Sequence, residues 1–205
     1  MPLNSSNIVK LLNLRTKTSL RRDSDLFDEF FPRTLVSGNM TVKTLLDNTR
    51  YRPRDIIQLL NYIQINTLGP KPLSQEIWAG IKQYSQEYFL TEIKNELYGF
   101  LAQDELEKSM NLLALMNKSS FYIREIEEKK NMDSRFKKLD LVKVLQALFD
   151  CGAILNFRKG DSNDMCIHTA KFRNPTVCFD PNEGIRINLG LWKAFNIVER
   201  YDDAL

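Results

Sequence analysis

Stretches whose apolar residues recur every three or four positions alternate along this chain with short polar or proline-containing breaks. Ile8, Val9, Leu11, Leu12 and Leu14 have that helical spacing within residues 7–20, with Ser5 or Ser6 placed to cap. After the polar run 16–24 comes a compact aromatic helix, Leu26-Phe27-Asp28-Glu29-Phe30-Phe31-Pro32, which Pro32 must end near Phe30 or Phe31. Thr41 is placed to cap a third helix with Val42, Leu45 and Leu46 inward. Pro53 suits the first position of a fourth helix, where its missing N–H costs nothing, and Ile56, Leu59, Leu60 and Ile63 form its apolar stripe. The turn Leu68-Gly69-Pro70-Lys71-Pro72 breaks the pattern. Ser74, with Glu76, then starts a long helix to about Tyr98, whose buried face is expected to hold Trp78, Ile81, Tyr84, Tyr88 and Ile93.

From residue 100 the pattern changes. Residues 104–117 read as an amphipathic helix built on Leu106, Met110, Leu113 and Leu115. Ser119 or Ser120 would cap a charged helix through Lys130, and Asp140 would begin a third, Leu139–Cys151, stopped by Gly152. Two extended runs follow, Ala153–Arg158 and Met165–Phe172, on either side of the turn-rich Lys159–Asp164. A short strand around Ile185-Arg186-Ile187 and a helix over Leu189–Val198 close the chain. Three helices and then a hairpin is the order of a winged helix-turn-helix. The expected fold is therefore mainly α: a helical lid-like module over 1–99, then a winged helix with a small β-hairpin over 100–205.

Composition narrows the function classes. No apolar run approaches the length of a membrane span, and the N-terminus lacks a secretory layout. Cys151, Cys166 and Cys178 are too few and too scattered for a disulfide framework or a zinc site, which suggests reduced thiols in the cytoplasm. Phosphate-loop, dinucleotide, nucleophile-elbow and zinc-protease signatures are all absent. His168, the single histidine, falls in a predicted strand and reads as structural. Glu125, Glu127 and Glu128, set among Arg124, Lys129 and Lys130, read as a solvated helix face. With no complete catalytic set and no metal cluster, the chain is expected not to be an enzyme by itself.

Charge is uneven. Residues 1–60 hold 10 Lys+Arg against 6 Asp+Glu, whereas the remainder holds 19 against 20. The densest feature is Arg50-Tyr51-Arg52-Pro53-Arg54-Asp55, three arginines around a helix N-terminus. Exposed N–H groups, the helix dipole and guanidinium forks all favour an anion there. Asp55 gives a second reading, in which it caps the helix or pairs with an arginine in a structural helix start. The residues leave both readings open.

The run Arg-Pro-Arg-Asp-Ile-Ile-Gln-Leu-Leu-Asn at 52–61 resembles the lid signature of bacterial P-loop ATPases related to the AAA+ and STAND classes. Further likeness lies in the aromatic segment Leu26–Pro32, the helix Ile77–Tyr84 with Ser85, Glu96, Asp180-Pro181, and Ile187–Phe195. The resemblance implies a C-terminal lid and winged helix without the nucleotide-binding core, as a truncated product, a fragment, or a remnant working beside another subunit. It implies Arg54 as first candidate for a sensor of the ATP γ-phosphate, Arg52 as second, and Pro53 as a shaper of the approach. With both Walker elements missing, ATP and magnesium are expected only with a core domain or subunit, which would be the principal partner.

The alternative is a small DNA-binding or adaptor winged-helix protein. Lys137, Lys138, Lys143, Arg158 and Lys159 would then contact phosphates. Against it, Asp140, Asp150, Asp161 and Asp164 lie on the same elements, and a region without basic surplus gains little from counterion release. A protein-interaction or intramolecular role is therefore favoured over DNA, and no membrane role is expected.

Overall fold

A computed structural model of the chain describes residues 5–159 and 166–198. The chain divides into two compact units, Met1–Phe89 and Leu90–Leu205. It is mainly helical, with one small antiparallel sheet.

In the first unit, α1 (Ser5–Leu20) buries Ile8 and Leu12. Asp25 caps α2 (Leu26–Phe30) by accepting the N–H groups of Phe27 and Asp28 at 3.0 and 3.1 Å. The Asn13 amide joins α1 to that cap, donating to Asp25 at 2.6 Å and accepting the Leu26 N–H at 3.0 Å. Pro32 ends α2 as expected. Thr41, however, does not cap α3 (Thr41–Asp47): Met40 holds that position, while the Thr41 hydroxyl donates to the Pro32 carbonyl. Thr41 is itself the first helical residue, whereas a capping residue needs the extended backbone that Met40 has.

Pro53 opens α4 (Pro53–Asn66), which buries Ile56, Leu59 and Ile63; Leu60 is only half-buried. The start of α5 (Ser74–Gln83) is held by the Glu76 carboxylate, which accepts the N–H groups of Leu73 and Leu68 at 2.7 and 3.0 Å. That is the returning half of a capping box. Gly80 lets α5 lie directly on α4, since a Cβ there would fall 2.6 Å from the Ile63 Cα. After Gln83 the helix widens into a π-helical turn, Tyr84–Phe89. This turn corrects the expected buried face: Phe89 is buried where Tyr88 was expected, and Tyr88 is half-buried. Bonding from i to i+5 shifts the register by one residue, an effect invisible to a 3.6-residue period.

The second unit begins with α6 (Leu90–Leu97) and α7 (Gln103–Met116). On α7 the buried face carries Leu112 and Leu113 while Leu115 is exposed. Ser119 and Ser120 do not hold the N-cap position of the next helix, which Tyr122 does. They run into strand β1 (Ser120–Phe121), and α8 (Ile123–Met132) starts later, with Glu125 accepting the Tyr122 N–H at 2.7 Å. Asp140 caps α9 (Leu141–Asp150) through the Lys143 N–H at 3.1 Å, and Gly152 follows it at φ 78°, where glycine is favoured. Strands β2 (Ile154–Lys159) and β3 (Cys166–Thr169) form the expected hairpin, and β4 is Gly184–Ile187.

The sheet order is β1-β4-β2-β3, all antiparallel. The last strand therefore fills the middle of the sheet, pairing Ile154 with Ile187 and Phe121 with Ile185, and the hairpin's second strand is an edge. The expected closing helix over 189–198 is a 3₁₀ turn, Leu189–Leu191, followed by irregular turns. Asn188 caps it locally, accepting the Gly190 N–H at 2.9 Å, and Asn196 sits at φ 55°, which breaks any continuation. No helix among the described residues is long and apolar enough to cross a membrane.

Candidate functional site

The start of α4 gathers the most unusual chemistry of the first unit. Between α3 and α4 the chain passes through Tyr51 at φ 55°, a left-handed conformation uncommon for an aromatic residue. Two side-chain bonds hold it there: the Tyr51 N–H donates to the Thr49 hydroxyl at 3.1 Å, and the Tyr51 hydroxyl donates to Asp47. This turn separates Arg50 from Arg52 and sends their side chains into different surroundings.

Arg50 is wholly interior. Its Nε donates to Asp55 Oδ2 at 2.9 Å and its Nη2 to Oδ1 at 3.2 Å, with the two side chains 0% and 1% exposed. The guanidinium lies 5.3 Å from the Phe89 ring centre, and the Tyr88 hydroxyl donates to Asp55 Oδ1 at 3.4 Å. A buried charge is tolerated only when paired and hydrogen-bonded in this way. Of the two readings of Asp55, the structural one therefore holds for Arg50: this arginine is engaged by a carboxylate and faces no solvent.

Arg52 and Arg54 are placed differently. Arg52 is the half-buried N-cap residue of α4, and its side chain does not cap the helix. Pro53 is half-buried at the first helical position, and Arg54 is exposed in the first turn with its guanidinium 5.9 Å from the Tyr88 ring centre. The π-helical turn sets up both contacts, since consecutive residues Tyr88 and Phe89 receive Arg54 and Arg50 respectively. Tyr84 stacks on Tyr88 at 5.4 Å and packs on Phe89 at 5.6 Å, fixing the pair from behind. Sequence reasoning missed Tyr88 and Phe89 as partners of the arginines. The only available signal was the aromatic density of Tyr84, Tyr88 and Phe89.

Of the second unit's candidate residues, four are exposed and one of those is paired with a carboxylate. Lys137 and Lys138 are exposed just before α9, and Arg158 is exposed on β2. Lys143 is exposed in the first turn of α9, but its ammonium lies 2.9 Å from Glu105, whose carboxyl this bond holds below the usual carboxylate range. Lys159 ends β2, and its side chain lies outside the described residues, as do Asp161 and Asp164. His168 Nε2 is 3.1 Å from Arg186 Nη1, and that guanidinium lies 5.7 Å from the Trp192 ring centre, a structural setting for both side chains. Glu125 is paired with Lys118 and with the Tyr122 N–H, which lower its pKa in that order. Among the described residues no cluster of His, Cys, Asp and Glu could hold a metal ion.

The fold and this helix start define a helical module with a basic, aromatic-backed first turn. Residues 6–91 match the family model of the FunZ-associated C-terminal helical domain. The match covers helices α1 to α5 and the π-helical turn, and so includes the whole arginine site. This part of the chain is thus similar to a helical domain described as C-terminal. No curated protein and no solved structure matches the chain.

Proposed function

We propose that this chain is a regulatory and interaction portion of a P-loop ATPase, in which Arg54 senses the γ-phosphate of ATP bound to a separate core. The carrying observation is the division of labour at α4: Arg50 is held by Asp55 in the interior, while Arg54 is exposed in the first turn with its guanidinium over Tyr88. A helix N-terminus with a guanidinium beside it suits a phosphate. Arg52, two residues earlier at the N-cap, is the second phosphate contact, and Pro53 holds the backbone between them. The resemblance of 52–61 to an ATPase lid supports this reading, and the likeness of 6–91 to a C-terminal helical domain is consistent with it. ATP and magnesium belong to the core, which supplies the hydrolytic chemistry. In the second unit, α7, α8, α9 and the hairpin follow winged-helix order and serve protein contact. DNA is the less supported partner, because Asp140 and Glu105 engage the first turn of α9.

The test is association of this chain with its nucleotide-binding core in the presence of a non-hydrolysable ATP analogue or of ADP. Tighter association with the analogue, erased by Arg54→Ala, is the expected result. Equal association with both nucleotides, or a preference that survives Arg54→Ala, overturns the proposal.

A further inference from the structure

A groove of about 700 Å³ in the first unit lies between α1, α2 and α4 and the loop after α4. Its apolar lining includes Leu12, Leu26, Phe30, Phe31, Ile57 and Leu60. All of these but Leu12 are only half-buried, so the groove keeps apolar surface in water that a partner would cover. Polar groups edge it: Thr16, Ser19 and Gln64 line it, together with Arg15. Arg15 is exposed and has no hydrogen-bond or ion-pair partner among the described residues. Among the described residues no Asp or Glu lines the groove.

The charge of the whole unit points the same way. Residues 1–89 hold 12 Lys+Arg against 8 Asp+Glu. The neighbouring cations Lys17 and Arg22 are already paired, with Asp23 and Glu29, and among the described residues Arg15 is the cation that lines the groove itself. A partly apolar groove between helices accepts a helix through side chains spaced at i, i+3 or i+4, and i+7.

We propose that this groove binds an amphipathic acidic helix of a partner protein, seating apolar side chains on Phe31, Ile57 and Leu60 and a carboxylate on Arg15. The site is independent of the nucleotide-sensing reading, since it uses the middle and end of α4 rather than its first turn.

Two synthetic peptides test it with the full chain by fluorescence anisotropy. One is a helix-forming sequence with leucines at i, i+3 and i+7 and glutamates flanking them; its twin carries lysine for every glutamate. The acidic peptide should bind about tenfold more tightly than its twin, with Arg15→Glu inverting that preference. Leu60→Asn should weaken both peptides. Arg15 is exposed, so Arg15→Glu should melt like the parent chain and remains informative if Leu60→Asn does not fold. Equal binding of the two peptides, no saturable binding, or a preference unchanged by Arg15→Glu overturns the proposal. So does self-association in sedimentation equilibrium that Arg15→Glu abolishes, which would assign the groove to a second copy. Arg15-dependent co-sedimentation with anionic vesicles, without peptide binding, would overturn it in favour of a lipid surface.

Discussion

The two units differ in where their defining ion pairs lie, although both carry exposed pairs at the surface. In Met1–Phe89 the defining ion pair, Arg50 with Asp55, is fully interior and braced by Phe89 and Tyr88, while the unit as a whole is basic. In Leu90–Leu205 there are 17 Lys+Arg against 18 Asp+Glu, and the pairs Lys143–Glu105, Lys118–Glu125 and Arg135–Asp133 lie partly in solvent. A buried pair fixes local structure because either partner alone is costly, whereas an exposed pair mainly neutralises a surface. The first arrangement commits one arginine to the fold and leaves another turned outward. The second leaves little net field for a polyanion.

The contrast can be broken most forcefully at Asp55. Replacing it with alanine strands the Arg50 guanidinium in the interior and should cost about 3–5 kcal/mol in urea unfolding. Replacing both members with apolar residues, as in Arg50→Met with Asp55→Leu, should recover much of that loss. Equal destabilisation by the single and double variants would show that the pair is not the source of the effect. Next in size is Gly80→Ala, which forces α5 away from the Ile63 backbone and should cost about 1–3 kcal/mol by the same measurement. In the second unit, Lys143→Ala removes a half-exposed partner of Glu105 and should change stability by less than about 1 kcal/mol. A loss as large as that of Asp55→Ala would erase the contrast.

The smallest effect is one of pH. Hydrogen bonds from Lys143 and the Ala102 N–H lower the Glu105 pKa in the folded chain. Its contribution is therefore present above the unfolded value of about 4.3 and is lost as pH falls through the lower folded value. Urea midpoints of the parent and Glu105→Gln should differ slightly at neutral pH and converge in acid. A gap that widens in acid contradicts that assignment.

Much of the helical framework is legible in local chemistry. Pro53, Pro32, Asp140 and Gly152 each mark an end by a mechanism confined to a few residues. What escaped depends on distant partners or on register. Thr41 has the right type for a cap, but the chain is already helical there and Met40 holds the capping position. Ser119 and Ser120 look like caps because β1 has only two residues and shows no alternation. The insertion of β4 between β1 and β2 is a long-range pairing that no local pattern announces. At the candidate site the arginines and both readings of Asp55 were visible, but not which arginine Asp55 holds. That choice rests on the left-handed Tyr51 and on the π-helical turn that brings Phe89 beneath Arg50.

On the proposed reading Arg54 works outward, toward a nucleotide, while Arg50 works inward. The most direct measurement is ATP hydrolysis by the core-containing assembly carrying Arg54→Ala, using a chain whose urea midpoint matches that of the parent. Hydrolysis should fall about a hundredfold while the fold is unchanged, as when one positioned donor to a transition-state charge is removed. Undiminished hydrolysis by that folded variant would contradict the account.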